Sequence, residues 1–381
     1  MSRLHGDIAA YLEQLVSTQA VPGCALAIKA GGRDTAAVAG IARDSPTTAP
    51  GFDTRYAVYS ITKAVTALAA LRLVDQGRLD LDAPVRAYLD GWSEQRPDRE
   101  VKVSHLLSHT AGFTYGSRSG PVAEAYRRAG FVRSQPASKS PRDTYSTFSA
   151  LPRLYAPGQG WSYSLASDVL GWVLSEVSGS SLAAVLRAEV FGPLDMTRSC
   201  LLSELDGEGL DVAVVYERDK SRWRRSDTVM AGWANPEIPD SGGASMVTTL
   251  RDLMRLAAAY ISRRPEFLST SRWSLVTTNM VPNDGSLRAG LLSPLPGRTV
   301  DGVGYGAGVA VVTDGAVGGI RASRGEIGWE GSTGGFFFAH QGLDLCAAFM
   351  TNVYPHGGMP WWLELRRLIY RHFGRAISGG N

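Results

Sequence analysis

Tyr59-Ser60-Ile61-Thr62-Lys63-Ala64-Val65 runs without a break into Thr66-Ala67-Leu68-Ala69-Ala70-Leu71, and this stretch decides the fold. It places a Ser-x-x-Lys tetrad at the start of an apolar helix. Residues three apart share a helix face, so the Ser60 hydroxyl and the Lys63 amine can lie side by side. Serine is a poor nucleophile until a base takes its proton, and a lysine desolvated among Ala and Leu gives up its own proton more readily. Only five lysines (29, 63, 102, 139 and 220) stand among 39 basic residues; the rest are arginines, which do not deprotonate. None of the other four lysines follows a serine by three positions. Taken alone, the tetrad reads more readily as an ordinary helix start whose lysine snorkels to the surface. The rest of the chain decides between the two.

The 381 residues suit one large domain with an insertion, or two domains. An apolar share of 44%, a charged share of 20% and a net charge of +3 are those of a globular enzyme, with no basic surface for nucleic acid or membrane. No apolar run reaches the roughly eighteen residues of a membrane span, and Met1–Ile8 has no signal-peptide pattern. Cys24, Cys200 and Cys346 are odd in number, far apart and set among apolar neighbours. They read as small core residues, and the expected location is cytoplasmic.

Along the chain, Ile8, Tyr11, Leu12 and Leu15 predict an opening helix. Runs at 24–30 and 35–40 about Gly31-Gly32 predict a β-hairpin. From Asp80 to Met196 the pattern turns helical, with short helices at 103–107 and 168–177 and a Ser/Arg/Pro-rich segment, 116–153, expected to form a flexible cleft rim. Strand-like runs return at 212–216, in a hairpin tipped by Lys220 to Arg225, and at 308–312, 334–339 and 345–351. Ser241 to Met246 is read as the lead-in to a helix at 250–261, and an amphipathic helix closes the chain at 361–373. The expected architecture is α+β: an antiparallel sheet flanked by helices, built from residues 1–79 and 197–381, plus a mainly helical insertion at 80–196, with the active site at their interface.

A serine–lysine pair needs a second proton handler and an oxyanion hole. Tyr163, in the turn Pro157–Leu165, is the candidate for the first, because a phenol beside an ammonium can relay protons; a buried structural tyrosine is the alternative. The stretch Gly325-Glu326-Ile327-Gly328-Trp329-Glu330-Gly331-Ser332-Thr333-Gly334-Gly335 allows an edge backbone to approach a substrate and offer an N–H, or is a loop with strand-end glycines. No phosphate-binding glycine motif and no Gly-x-Ser-x-Gly elbow is present. His105 and His109 are four apart but have no third metal ligand, and a packing role is favoured; no metal or cofactor is required.

Taken in order, Ser60-Ile61-Thr62-Lys63, Leu106-Leu107-Ser108-His109-Thr110-Ala111-Gly112, Tyr163-Ser164-Leu165 leading to Asp168-Val169-Leu170-Gly171, and Gly328-Trp329-Glu330-Gly331 resemble the class C β-lactamase superfamily. The closer resemblance is to its family VIII carboxylesterase branch and related transacylases, from about residue 10 to 370. The resemblance implies a β-lactamase/transpeptidase-like fold. It implies Ser60 as the acylated nucleophile, Lys63 as its base, Tyr163 sharing proton transfer, and the N–H groups of Ser60 and Ser332 as the oxyanion hole. Trp329, Glu330, Gly331, Leu165 and Tyr115 are the expected substrate contacts, while His109, Gly112 and Phe113 match an architectural loop. β-Lactamase relatives carry Tyr-x-Asn and Lys-Thr-Gly where this chain has Leu165 and Trp329-Glu330-Gly331. Trading a cation for an indole and an anion disfavours an anionic β-lactam and favours a neutral ester or one with an aromatic or cationic part. Ser332-Thr333-Gly334 offers a second register of the third motif, shifted by three residues.

The expectation is a serine acyl-enzyme catalyst on small-molecule esters: a carboxylesterase if water discharges the acyl-serine, a transacylase if an amine or alcohol does. β-Lactamase activity is disfavoured by the two departures, and the lack of a signal-peptide pattern disfavours both periplasmic β-lactam defence and cell-wall D-amino-acid peptidase work. An inactive ligand-binding relative is the reading from a different class, and the intact Ser-Lys-Tyr set argues against it.

Overall fold

The computed structural model describes residues 2–93, 100–133, 140–205, 212–220, 222–226, 239–287, 302–313, 320, 323–355 and 361–373. The chain opens with helix α1 (Ser2–Ser17), whose Leu4, Ile8, Leu12 and Leu15 form one buried stripe. Strands β1 (Gly23–Ala30) and β2 (Arg33–Gly40) form the expected hairpin, and a minimal one, β3 (Arg43–Asp44) with β4 (Thr47–Thr48), follows. After β5 (Arg55–Ala57) comes α2 (Thr62–Asp75), and Gly77, at φ +70°, supplies the left-handed residue just past its end.

Between Asp80 and Met196 the described residues form helices and turns: α3 (Val103–Leu107), α4 (Pro121–Arg128), α5 (Pro141–Ser149), α6 (Ala166–Ser178) and α7 (Leu182–Leu186). The strand content there is one isolated bridge, Pro84 to Lys102. Next are β6 (Cys200–Leu201), the hairpin β7 (Tyr216–Asp219) with β8 (Arg222–Arg225), and β9 (Met246–Thr249). Last come β10 (Val303–Tyr305), β11 (Ala310–Val312), β12 (Glu326–Glu330), β13 (Phe336–His340) and β14 (Leu345–Thr351).

The main sheet has seven strands in the order β10-β11-β12-β13-β14-β1-β2, and every neighbouring pair is antiparallel. Alternate side chains point to opposite faces. On β14, Leu345, Ala347 and Phe349 join α1 and the closing helix Trp361–Phe373, while Cys346, Ala348 and Met350 face the core that contains α2 and the helix Leu250–Ser262. A strand covered on both faces has no polar side, which is why 345–350 is an uninterrupted apolar run, closed by the buried Thr351. The three cysteines are buried and free. Among the described residues no single helix is long and apolar enough to cross a membrane.

Several expectations need correction. The stretch after Ser241 enters strand β9 before the helix at Leu250, and β9 is the middle of a small sheet, β5-β9-β6, that the sequence did not announce. Strands of two to four residues are too short to display a period. The segment 116–153, expected as a flexible rim, holds α4 and α5, each begun by Pro at its first position; residues 134–139 of it lie outside the described ones. The basic hairpin starts at Tyr216, and Val212 instead makes a single parallel bridge to Arg55.

Candidate active site

Strand β5 and helix α2 are joined by a single tight turn, Tyr59–Ile61, in which Tyr59 takes φ +46°. A left-handed non-glycine residue costs about 1–2 kcal/mol and persists only where its surroundings enforce it. Here Thr62 does so: its hydroxyl donates to the Tyr59 carbonyl and accepts the Met246 N–H at 2.9 Å, tying the turn to β9. Ser60 is thereby held at the mouth of α2.

Eleven of the fourteen α2 residues are buried, Lys63 among them. A helix this enclosed has to satisfy its one buried amine locally. Lys63 Nζ donates to the Gly243 carbonyl at 2.7 Å and to Ser60 Oγ at 3.4 Å, and it lies 4.7 Å from the centre of the Tyr163 ring. The snorkelling alternative is thus removed: the amine turns inward to the serine.

The acceptor for Lys63 comes from a turn that sequence reasoning treated as mere lead-in. Ser241-Gly242-Gly243-Ala244-Ser245 wedges between α2 and α6. A Cβ on Gly242 would stand 2.2 Å from the Ser167 carbonyl, so only glycine fits. Thr66 Oγ1 donates to the Gly242 carbonyl at 2.8 Å, and Ser241 Oγ accepts the Gly243 N–H at 3.0 Å while donating to Asp168 Oδ1. Burial pushes the Asp168 carboxyl up to about 6, against the opposing pull of Lys63 and of the Ser241 hydroxyl. The adjacent glycines of 242–243 were the available signal for this close approach; nothing local marked Asp168.

Tyr163 sits in an aromatic box. Its hydroxyl accepts the Trp329 indole N–H at 3.3 Å, and ring centroids of His109, Trp329, Tyr115 and Trp161 lie 5.0, 5.3, 5.8 and 6.5 Å away. Tyr305 closes the far side, 5.1 Å from Trp329. Arg118 fixes the backbone by donating to the Tyr163 carbonyl at 3.0 Å. Burial, assisted by Lys63 and Arg118, holds the His109 imidazole well below its usual range, and burial lifts the Tyr115 and Tyr305 phenols well above theirs. His109 Nδ1 lies 3.2 Å from Ser164 Oγ, whereas His105 Nδ1 accepts the Lys102 N–H. The two histidines therefore serve different turns. Trp161 and Tyr305 were not picked out from sequence.

The glycine-rich stretch arrives beside Ser60 at the end of β12. Gly331 is packed so that a Cβ would lie 2.2 Å from the Val58 carbonyl, and Thr333 Oγ1 donates to the Ala57 carbonyl at 3.0 Å. Both anchors fall on the two residues before Tyr59. Between them the Ser332 N–H has no acceptor among the described residues. Trp329 contacts Tyr163, while Thr333 turns back onto β5. Glu330 is half-buried. Leu165 is buried in the core at the start of α6, where it gives an apolar wall and no polar anchor.

A profile of the Beta-lactamase family matches residues 8–364. Esterase EstB of Burkholderia gladioli is 31% identical over 341 residues, covering 84% of this chain and 82% of its own. The acyltransferase calJ of Penicillium decumbens is 25% identical over 328 residues, covering 79% and 76%. Among solved structures, EstCE1, titled a hydrolase with promiscuous acyltransferase activity, superposes with a TM-score of 0.83 at 23% identity over 97% of this chain and 99% of its own. With seven antiparallel strands in its main sheet, helices among the described residues between Asp80 and Met196, and this match over most of its length, the chain belongs to the Beta-lactamase family.

Proposed function

We propose that the protein is a serine acyl-enzyme catalyst that takes the acyl group of a small-molecule ester onto Ser60. The observation that carries this is the inward-turned Lys63, shared between Ser60 Oγ and the Gly243 carbonyl and roofed by Tyr163. We read the chain as two units, 1–79 with 197–381 and 80–196, and the cleft between them as the site.

In the reaction, Ser60 Oγ attacks the ester carbonyl as its proton passes to Lys63. The carbonyl oxygen becomes an oxyanion held by the N–H groups of Ser60 and Ser332. The C–O bond then breaks, and Tyr163 relays a proton to the departing alcohol, leaving acyl-Ser60. Water then attacks the same carbonyl, passing a proton to the Lys63–Tyr163 pair. The acyl–Oγ bond breaks, Ser60 Oγ takes the proton back and the carboxylic acid leaves, which completes a carboxylesterase cycle. An amine or alcohol in place of water leaves as amide or ester and completes a transacylase cycle. The names of EstB as an esterase and calJ as an acyltransferase support both outcomes, and hydrolysis is our first reading because EstB is the more similar of the two. Trp329 and Glu330 in place of a cation, with Leu165 in place of an amide, support a neutral or aromatic ester over a β-lactam. Three free buried cysteines suit a reducing compartment such as the cytoplasm.

The test is labelling of the protein with a fluorophosphonate probe and turnover of p-nitrophenyl esters, with Ser60→Ala as control and with amines or alcohols added. The expected result is a probe adduct on Ser60 and ester turnover, both lost in Ser60→Ala. A folded protein that leaves the probe untouched refutes the proposal. Nitrocefin turnover at comparable rates refutes the ester preference.

A further inference from the structure

Beyond the Ser-Lys-Tyr set, the site contains one more buried charge. Asp168 lies on the first turn of α6, 3% exposed, and its Oδ1 accepts the Ser241 hydroxyl. A Cβ on Gly243 would stand 2.9 Å from Asp168 Oδ2 and 3.1 Å from Lys63 Nζ, so carboxylate and ammonium are at most 6.0 Å apart, the sum of those distances. They do not touch as an ion pair; Gly243 packs against both, and its carbonyl accepts from Lys63. Among the described residues, the other titratable or charged groups around the pair are Tyr163, Tyr115 and Arg118 from the loops, His109 after α3, and Tyr305 on β10. His109 is held neutral, Tyr115 and Tyr305 stay phenols and Arg118 stays a cation near neutral pH. Asp168 is thus the anion set against Lys63.

We propose that Asp168 is the fixed counter-ion of Lys63, a positioning residue that sets the pH at which Ser60 becomes reactive and stabilises the ammonium formed when Lys63 takes the Ser60 proton. The proposal rests on the reading of Ser60 and Lys63 given above. Its logic is that of a carboxylate behind a catalytic base: it does not touch the substrate, and its charge favours the protonated partner. The carboxylate therefore delays the onset of Ser60 reactivity as pH rises, but strengthens Lys63 as acceptor in the step that matters. No proton need leave Asp168.

The experiment follows the rate of Ser60 phosphonylation by a fluorophosphonate from pH 5 to 10 in the parent, in Asp168→Asn and in Gly243→Ala, with folding checked by circular dichroism. A unit charge at about 6 Å through an effective dielectric near 20 is equivalent to about two pH units. Asp168→Asn is expected to move the rising limb of the profile towards acid by about one to two units and to lower its plateau by roughly tenfold to a hundredfold. Gly243→Ala, which drives a methyl between the two charges, should move the limb in the same direction by less. If Asp168→Asn does not fold, Gly243→Ala decides. A profile that superimposes on the parent's, with Ser60 still labelled, overturns the counter-ion role; absence of labelling in the parent overturns the acyl-enzyme reading itself.

Discussion

Gly331→Ala puts one methyl group against the backbone that leads into Ser60. The added Cβ would start 2.2 Å from the Val58 carbonyl oxygen, and such contacts do not occur below 3.0 Å, so strand and turn must separate by at least 0.8 Å. No flexible side chain can absorb this, because the obstacle is main chain. The Ser332 N–H moves with Gly331, whereas Ser60 stays with Val58, so the displacement opens the proposed oxyanion hole directly. Misplacement on the order of 1 Å costs roughly a hundredfold in rate, and overpacking a tight contact costs about 1–3 kcal/mol of stability. The assay is steady-state hydrolysis of p-nitrophenyl butyrate alongside thermal melting. The expected outcome is a kcat about a hundredfold lower, KM within a few-fold of the parent and a melting point a few degrees lower. A variant that melts lower but keeps its kcat would refute the assignment of Ser332 to the oxyanion hole.

Trp329→Phe keeps an aromatic wall but removes the donor to the Tyr163 hydroxyl; kcat for p-nitrophenyl esters should fall about threefold to tenfold, as for loss of one hydrogen bond worth about 1 kcal/mol, with KM unchanged. Arg366, which donates to Glu326 at 2.9 Å and stacks 3.7 Å from Trp362, is buried with its partner. Arg366→Ala strands the Glu326 charge and should cost about 3–5 kcal/mol in urea denaturation, whereas Arg366→Met combined with Glu326→Leu should cost much less. Asp168, raised from 3.8 to about 6, gives stability that is fully present below about pH 4 and lost as pH rises through 6. His109, held low, acts in the opposite sense, its contribution present above about 6.5 and lost as pH falls. Asp168→Asn should therefore gain up to about 3 kcal/mol on its parent between pH 4 and pH 8, read from denaturation midpoints, since each pKa unit is worth about 1.4 kcal/mol; a constant difference across that range would contradict the burial of an ionised carboxylate.

The parts of the molecule that could be read from sequence are those with a long period or a fixed spacing. The stripe of α1, the Gly31-Gly32 hairpin and the run 345–351 each repeat a pattern over seven or more residues. The Ser60–Lys63 pair was legible because three residues on a helix is a distance in space as well as in sequence. The acceptor that orients Lys63 was not, since Gly243 lies 180 positions further on and reaches α2 only through tertiary packing. Asp168 was quoted only as part of a motif, because its partner Ser241 is 73 residues away. Helices α4 and α5 were hidden by a composition rich in Ser, Arg and Pro, whose prolines proved to be helix starts and not breaks.

The place of β1 in the main sheet bears on how the enzyme is made. Gly23–Ala30 pairs on one side with its hairpin partner and on the other with β14, Cys24 opposite Thr351. The centre of the sheet joins residues more than three hundred positions apart, so it closes only after nearly all the described chain has left the ribosome. Contacts of such separation make folding slow and leave apolar strands uncovered meanwhile. The helices of 80–196 rely on nearer contacts and can gather first around α2. In synthesis, Ser60 precedes the Ser332 N–H by some 270 residues, and the proposed acylation centre is among the last features of the molecule to be assembled.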